Sequence, residues 1–160
     1  MKKFALPAIL AGLSLGICPM AQAAACYTAA SLPAAKLRHL DVMLMVSSLR
    51  CRTGADDFQA DYDRFVDHNR GALSAANHAM LDDLAGRLGA ARASAEMDHL
   101  SVIMANRYGQ GTGVGCHELR MVAQDLGSTR EPAALADAAE ALVGEAALEQ
   151  ACSADFASRR

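Results

Sequence analysis

The densest group of residues with reactive chemistry lies between Asn106 and Glu118, reading NRYGQGTGVGCHE. Asn106, Arg107 and Tyr108 precede a glycine-rich run, and His117 and Glu118 follow it. His117 could act as a general base, but that role needs a nucleophile beside it. Glu118 falls in the first turn of an expected helix, where a carboxylate also simply complements the helix dipole. The run GQGTGVG could present backbone N–H groups to an anion. It fits neither the dinucleotide fingerprint nor the phosphate-loop pattern, and no strand precedes it. Glu96 is a second candidate acid: at the margin of an apolar stripe its carboxyl could be held protonated, or it could reach solvent or an arginine. No second carboxylate stands at a spacing that would make a glycosidase pair. Asn69 lies at the centre of an apolar stripe and Asn77 at its edge. A buried amide either bonds a backbone group and sets helix register, or forms the polar floor of a ligand pocket. Arg50 and Arg52 flank Cys51 and complete the candidate ligand-binding set of Asn69, Arg107, Tyr108, Arg50 and Arg52.

Metal and cofactor chemistry finds little support. The five histidines are His39, His68, His78, His99 and His117. No two stand at i, i+4, and H-E-x-x-H is absent. Met43, Met45, Met80, Met97, Met104 and Met121 recur at core spacing, which reads as packing rather than as a copper site. The expectation is no metal and no cofactor.

The N-terminus sets the compartment. Lys2 and Lys3 lead an apolar stretch over 6–17, and Ala21-Gln22-Ala23 is a cleavage signal. This predicts a secretory signal peptide over 1–23, a single mature domain over 24–160, and a periplasmic or secreted location. Ile17 before Cys18 is too large for a lipoprotein signal. The whole chain carries a net charge of −3, and the signal takes two lysines and no acid with it. The mature chain is therefore acidic without a basic cluster, which argues against nucleic acid or an anionic membrane surface as partner. Cys26, Cys51, Cys116 and Cys152 remain, an even set that in an exported chain reads as two disulfides.

The elements that must position these residues are all helical. Apolar residues recur at helical spacing over 31–50, 56–88, 91–108, 114–126 and 131–151. Ser31 with Pro33, and Ser128 with Glu131 and Pro132, look like helix starts. The second pattern passes through Gly71 without losing phase. No strand-like alternation appears. The first helix is apolar on nearly every face between Leu40 and Leu49, yet too short and too charged, with Asp41, to span a bilayer. The fold class is thus all-α: a compact bundle of about five helices around a buried first helix, stapled by disulfides. A continuous first helix separates Cys26 from Cys51 by about 30 Å, too far to pair. Antiparallel succession brings Cys116 to the Cys51 end, which predicts Cys51–Cys116 and leaves Cys26–Cys152. Tyr108 and His117 should then lie near that junction.

With those residues laid out, the chain resembles a group of small exported alphaproteobacterial proteins of unknown function. The resemblance rests on Cys26, MLMVSSLRCR over 43–52, DFQADYDRFV over 57–66, NRGAL over 69–73 and ANRYG over 105–109. Some members bear an S-adenosyl-L-homocysteine hydrolase label. That activity needs a dinucleotide-binding domain with its glycine fingerprint, and this chain has neither the strands nor the fingerprint. The expected function is a non-enzymatic binding or interaction module, whose partner is an envelope protein or a small molecule. The alternative is a small cell-envelope hydrolase with its site near Asn106–Glu118.

Overall fold

Helix α1 runs over Leu32–Cys51, with Pro33 in the first turn, where its missing N–H removes no helical bond. The structure is a computed structural model that describes residues 27–129 and 131–149. The remaining elements are α2 (Gln59–Leu88), α3 (Ala90–Gly109), α4 (Cys116–Leu126) and α5 (Pro132–Leu142). The fold is an all-α bundle, and α1 packs against each of the other four helices. Leu40, Val42, Met43 and Leu44 are buried on successive faces of α1, and they meet Phe58, Phe65, Leu100, Met104, Leu119 and Leu126 in one core. Each such large side chain contributes roughly 1.5–3 kcal/mol of transfer free energy. Among the described residues no helix is long and apolar enough to cross a membrane.

Unequal helix lengths set the geometry. α2 has 30 residues, against 20 each in α1 and α3. At 1.5 Å per residue, α2 is about 45 Å long and its neighbours about 30 Å. α2 therefore overshoots the start of α1, whose lead-in meets it through Thr28 Oγ1 donating to Asp83 Oδ1 at 2.8 Å. α3 returns from beyond that point and ends well short of Cys51. One consequence corrects the expectation that the middle of α1 is buried all round. Met45 and Leu49 are 36% and 51% exposed, on the part of α1 that α3 does not reach.

Several local expectations also shift. Ser31 stands at the N-cap of α1 but makes no capping bond; its hydroxyl instead accepts from the Thr28 N–H at 3.0 Å. α2 begins later than expected, at Gln59, because the Asp57 carboxylate accepts the Gln59 N–H at 3.0 Å and holds a turn there. α2 then runs unbroken through Gly71. The Ser128–Glu131 capping box does not form: Ser128 Oγ donates to the Gln124 and Asp125 carbonyls and so finishes α4. The last helix stops at Leu142, turns at Val143–Gly144 and resumes at 145. That break resets the phase, and beyond it Ala147 and Leu148 are buried.

The Cys51–Cys116 disulfide is present, with Cα atoms 5.9 Å apart. Cys26–Cys152 and the signal segment lie outside the described residues.

Candidate functional site

The disulfide ties the last residue of α1 to the first of α4, and polar groups gather around it. His117 follows Cys116 and is exposed. Its Nδ1 lies 3.2 Å from Asp56 Oδ1, in the α1–α2 turn. Arg120, one turn along α4, places a guanidinium nitrogen 3.1 Å from the same carboxylate oxygen and donates to the Ala55 carbonyl at 3.3 Å. A carboxylate on Nδ1 is the orientation a catalytic histidine needs, because it leaves Nε2 as the base. Among the described residues no hydroxyl or thiol bonds His117, and Cys116 is held in the disulfide. Glu118 folds back over its own helix start, its carboxylate occupying the space a Cβ on Gly115 would need. In that first turn its carboxylate complements the helix dipole. Arg50 reaches the glycine loop, a guanidinium nitrogen lying 3.9 Å from where a Cβ on Gly111 would stand. Gly111 itself adopts φ +120°, a conformation open to glycine and strained for any other residue. Arg52 is exposed at the end of α1.

Tyr108 is not at this junction. It lies against His39, which is about 18 Å from Cys51 along the axis of α1, because α3 ends low on the bundle. His39 is fully buried. Its Nδ1 lies 2.9 Å from the Tyr108 hydroxyl and its Nε2 3.3 Å from that of Tyr27. Both tyrosine rings meet the imidazole edge-on, with interplanar angles of 82° and 86°. Burial, then the cationic Arg107 and Arg38, lower the His39 pKa to about 4, so the ring is neutral at pH 7. Burial pushes the Tyr108 hydroxyl up to about 12 and the Tyr27 hydroxyl higher still, where the neighbouring Tyr108 adds to the effect. His39 is a polar centre that no sequence motif marks. A readable signal existed: it shares a helical stripe with Ala35, Val42 and Met43, at spacings of three and four.

Asn69 also holds one helix to another. Asn69 Nδ2 donates to the Phe65 carbonyl at 2.9 Å and to the Leu126 carbonyl at 2.8 Å, capping the end of α4. These two bonds are the register role. Glu96 lies one turn from His99 on α3, with 3.9 Å between Oε1 and Nδ1. A third network joins α1 to α2 and α3. Arg38 donates to Asp41 Oδ2 at 2.8 Å and to Ser101 Oγ at 3.4 Å, and the Tyr62 hydroxyl donates to Asp41 Oδ1 at 3.2 Å. Burial and the adjoining Asp41 carboxylate raise the Tyr62 pKa.

Asn69, Arg107, Tyr108 and His117 therefore do not converge on one point. Asn69 is at the α2–α4 contact, Tyr108 with Arg107 at the α1–α3 contact, and His117 at the disulfide. Among the described residues no three His, Cys, Asp or Glu side chains are placed to share a metal ion. No family model, no curated protein and no solved structure matches the chain.

Proposed function

We propose that this protein is an exported, non-catalytic interaction module of the cell envelope, which engages a protein partner through the exposed face of α1. The observation that carries this reading is the pair Met45 and Leu49, one turn apart on the stretch of α1 that α3 leaves uncovered. Arg52 continues the same stripe, adding a cation beside two apolar side chains. An apolar surface rimmed by polar groups is a feature of contact sites. The polar candidates Asn69 and Tyr108 support the reading from the other side, since their side chains bond one helix to another. Export rests on the features of residues 1–23 and on the resemblance to exported proteins, and the disulfide is compatible with it.

The hydrolase alternative draws on one contact, Asp56 with His117, where no hydroxyl or thiol bonds the histidine among the described residues. Purification of the mature chain from its native periplasm, with mass spectrometry of proteins and small molecules together, separates the two. A protein recovered in fixed stoichiometry supports the interaction module. A small molecule retained in its place, lost in a His117→Ala variant, supports the hydrolase.

A further inference from the structure

The lead-in to α1 is held in part by a hydrogen-bonded chain in which a single added proton must reverse one bond. Tyr27, His39 and Tyr108 come from three segments: the lead-in, α1 and α3. All three are buried, and both imidazole nitrogens are in use. A neutral imidazole has one donor and one acceptor. The chain is therefore directional, with one tyrosine donating to the ring and the ring donating to the other. A second proton on the ring makes both nitrogens donors. The tyrosine that was donating must then turn its own proton elsewhere, and no other acceptor bonds either hydroxyl among the described residues. Nearby charge does not relieve the imidazolium. Arg38 on α1 and Arg107 on α3 are cationic and oppose it. Carboxylates around this part of α1 are engaged: Asp41 by Arg38 and Tyr62, Glu140 of α5 by Lys36, and Asp83 of α2 by Thr28 and Arg87.

The two ends of the chain are not equally anchored. Tyr108 belongs to a helix, and its contact is the shorter one, at 2.9 Å. Tyr27 belongs to a short non-helical segment, and its contact is 3.3 Å. Beyond that contact, the segment is fixed to the bundle by the burial of the Tyr27 ring in the core and by the Thr28 and Ser31 side chains on Asp83. The opposite end of α1 is covalently tied to α4 through Cys51–Cys116.

We infer that the Tyr27–His39–Tyr108 chain is an acid-operated latch: protonation of His39 frees the lead-in around Tyr27–Ser31 from the α1–α3 seam, while the disulfide-tied half of the bundle stays folded. If release returns the ring to solvent, the opening constant rises by up to about 300-fold as pH falls from 6.5 through 4, ten-fold for each unit of pKa difference.

The test uses the full mature chain with its disulfides intact. Histidine and tyrosine ring resonances are followed by NMR from pH 7 to 3.5. Amide exchange, corrected for the intrinsic pH dependence, is measured over the same range. The latch predicts a His39 midpoint near 4, matching movement of the Tyr27 resonances, and loss of protection at the Ser31–Ala35 amides before that of Leu40–Leu44. In His39→Gln, which keeps a donor and an acceptor without titrating, that early loss disappears. Three results would each overturn the proposal: a midpoint near 6.5, unchanged protection at Ser31–Ala35, or simultaneous loss at Ser31–Ala35 and Leu40–Leu44. All three can be read from the unmutated chain, so the proposal stands or falls even if the variant does not fold.

Discussion

Replacing Cys51 and Cys116 together by alanine, with Cys26 and Cys152 left as they are, should cost about 4 kcal/mol of stability. The figure follows from a sequence separation of 65 residues between the two sulfurs, which in the chain-entropy account removes about 4 kcal/mol of freedom from the unfolded ensemble. The folded state should survive, because α4 keeps its other anchors. Asn69 bonds the Leu126 carbonyl, Gln124 bonds Asp61, and Arg120 pairs with Asp56. Urea unfolding of the two oxidised chains measures the loss. With a slope of about 2 kcal/mol per molar, the midpoint should fall by roughly 2 M at unchanged slope. Amide protection should fall most in α4, whose N-terminus loses its tether. A loss below about 1 kcal/mol would refute the reasoning, since a loop this long would then be constraining almost nothing in the unfolded chain.

The α2–α4 contact and the buried histidine give further tests. Asn69→Ala strands the Leu126 carbonyl and should cost about 1–3 kcal/mol in a denaturant melt. Gly127→Ala should cost a similar amount, about 1–3 kcal/mol. Its new Cβ would meet two backbone atoms, the Ala123 oxygen at 3.0 Å and the Phe65 nitrogen at 3.2 Å, neither of which can swing aside. His39 makes stability fall with acid. Its folded pKa is lowered from 6.5 to about 4, so the unfolded chain takes up the proton first. The contribution is whole above pH 6.5 and is lost as pH falls toward 4, a span of about 3 kcal/mol. His39→Gln should flatten the stability profile over that window in a series of urea melts.

Helical periodicity made the fold class legible, along with the order of the helices and the long α2 passing through Gly71. It also gave Cys51–Cys116, because antiparallel succession and rise per residue suffice to bring those sulfurs together. Relative helix length was legible too, with 56–88 against 91–108; where the third helix ends against the first was not. The expectation that Tyr108 lies at the disulfide assumed that α3 climbs as far as α2 descends. α2 is half as long again, so Tyr108 stops beside His39 and leaves Met45 and Leu49 uncovered. The bonding of Asn69 was not legible for a related reason. An amide in an apolar stripe looks the same in sequence whether it faces a ligand or the last carbonyl of a neighbouring helix. The serines at helix starts misled because Ser31 and Ser128 found closer partners in Thr28 and in the end of α4. His39 was hidden by its lack of a metal-ligand or catalytic partner in sequence; its partners are tyrosines far along the chain.

The most direct test of the central claim, that the module works through the uncovered face of α1, is site-specific photo-crosslinking in living cells. A photoreactive residue is placed in turn at Met45, Leu49, Val102 and Met121, all exposed large apolar positions. The account predicts a single discrete protein adduct from positions 45 and 49 and none from 102 or 121. No adduct from 45 and 49, or the same adducts from all four, would contradict it.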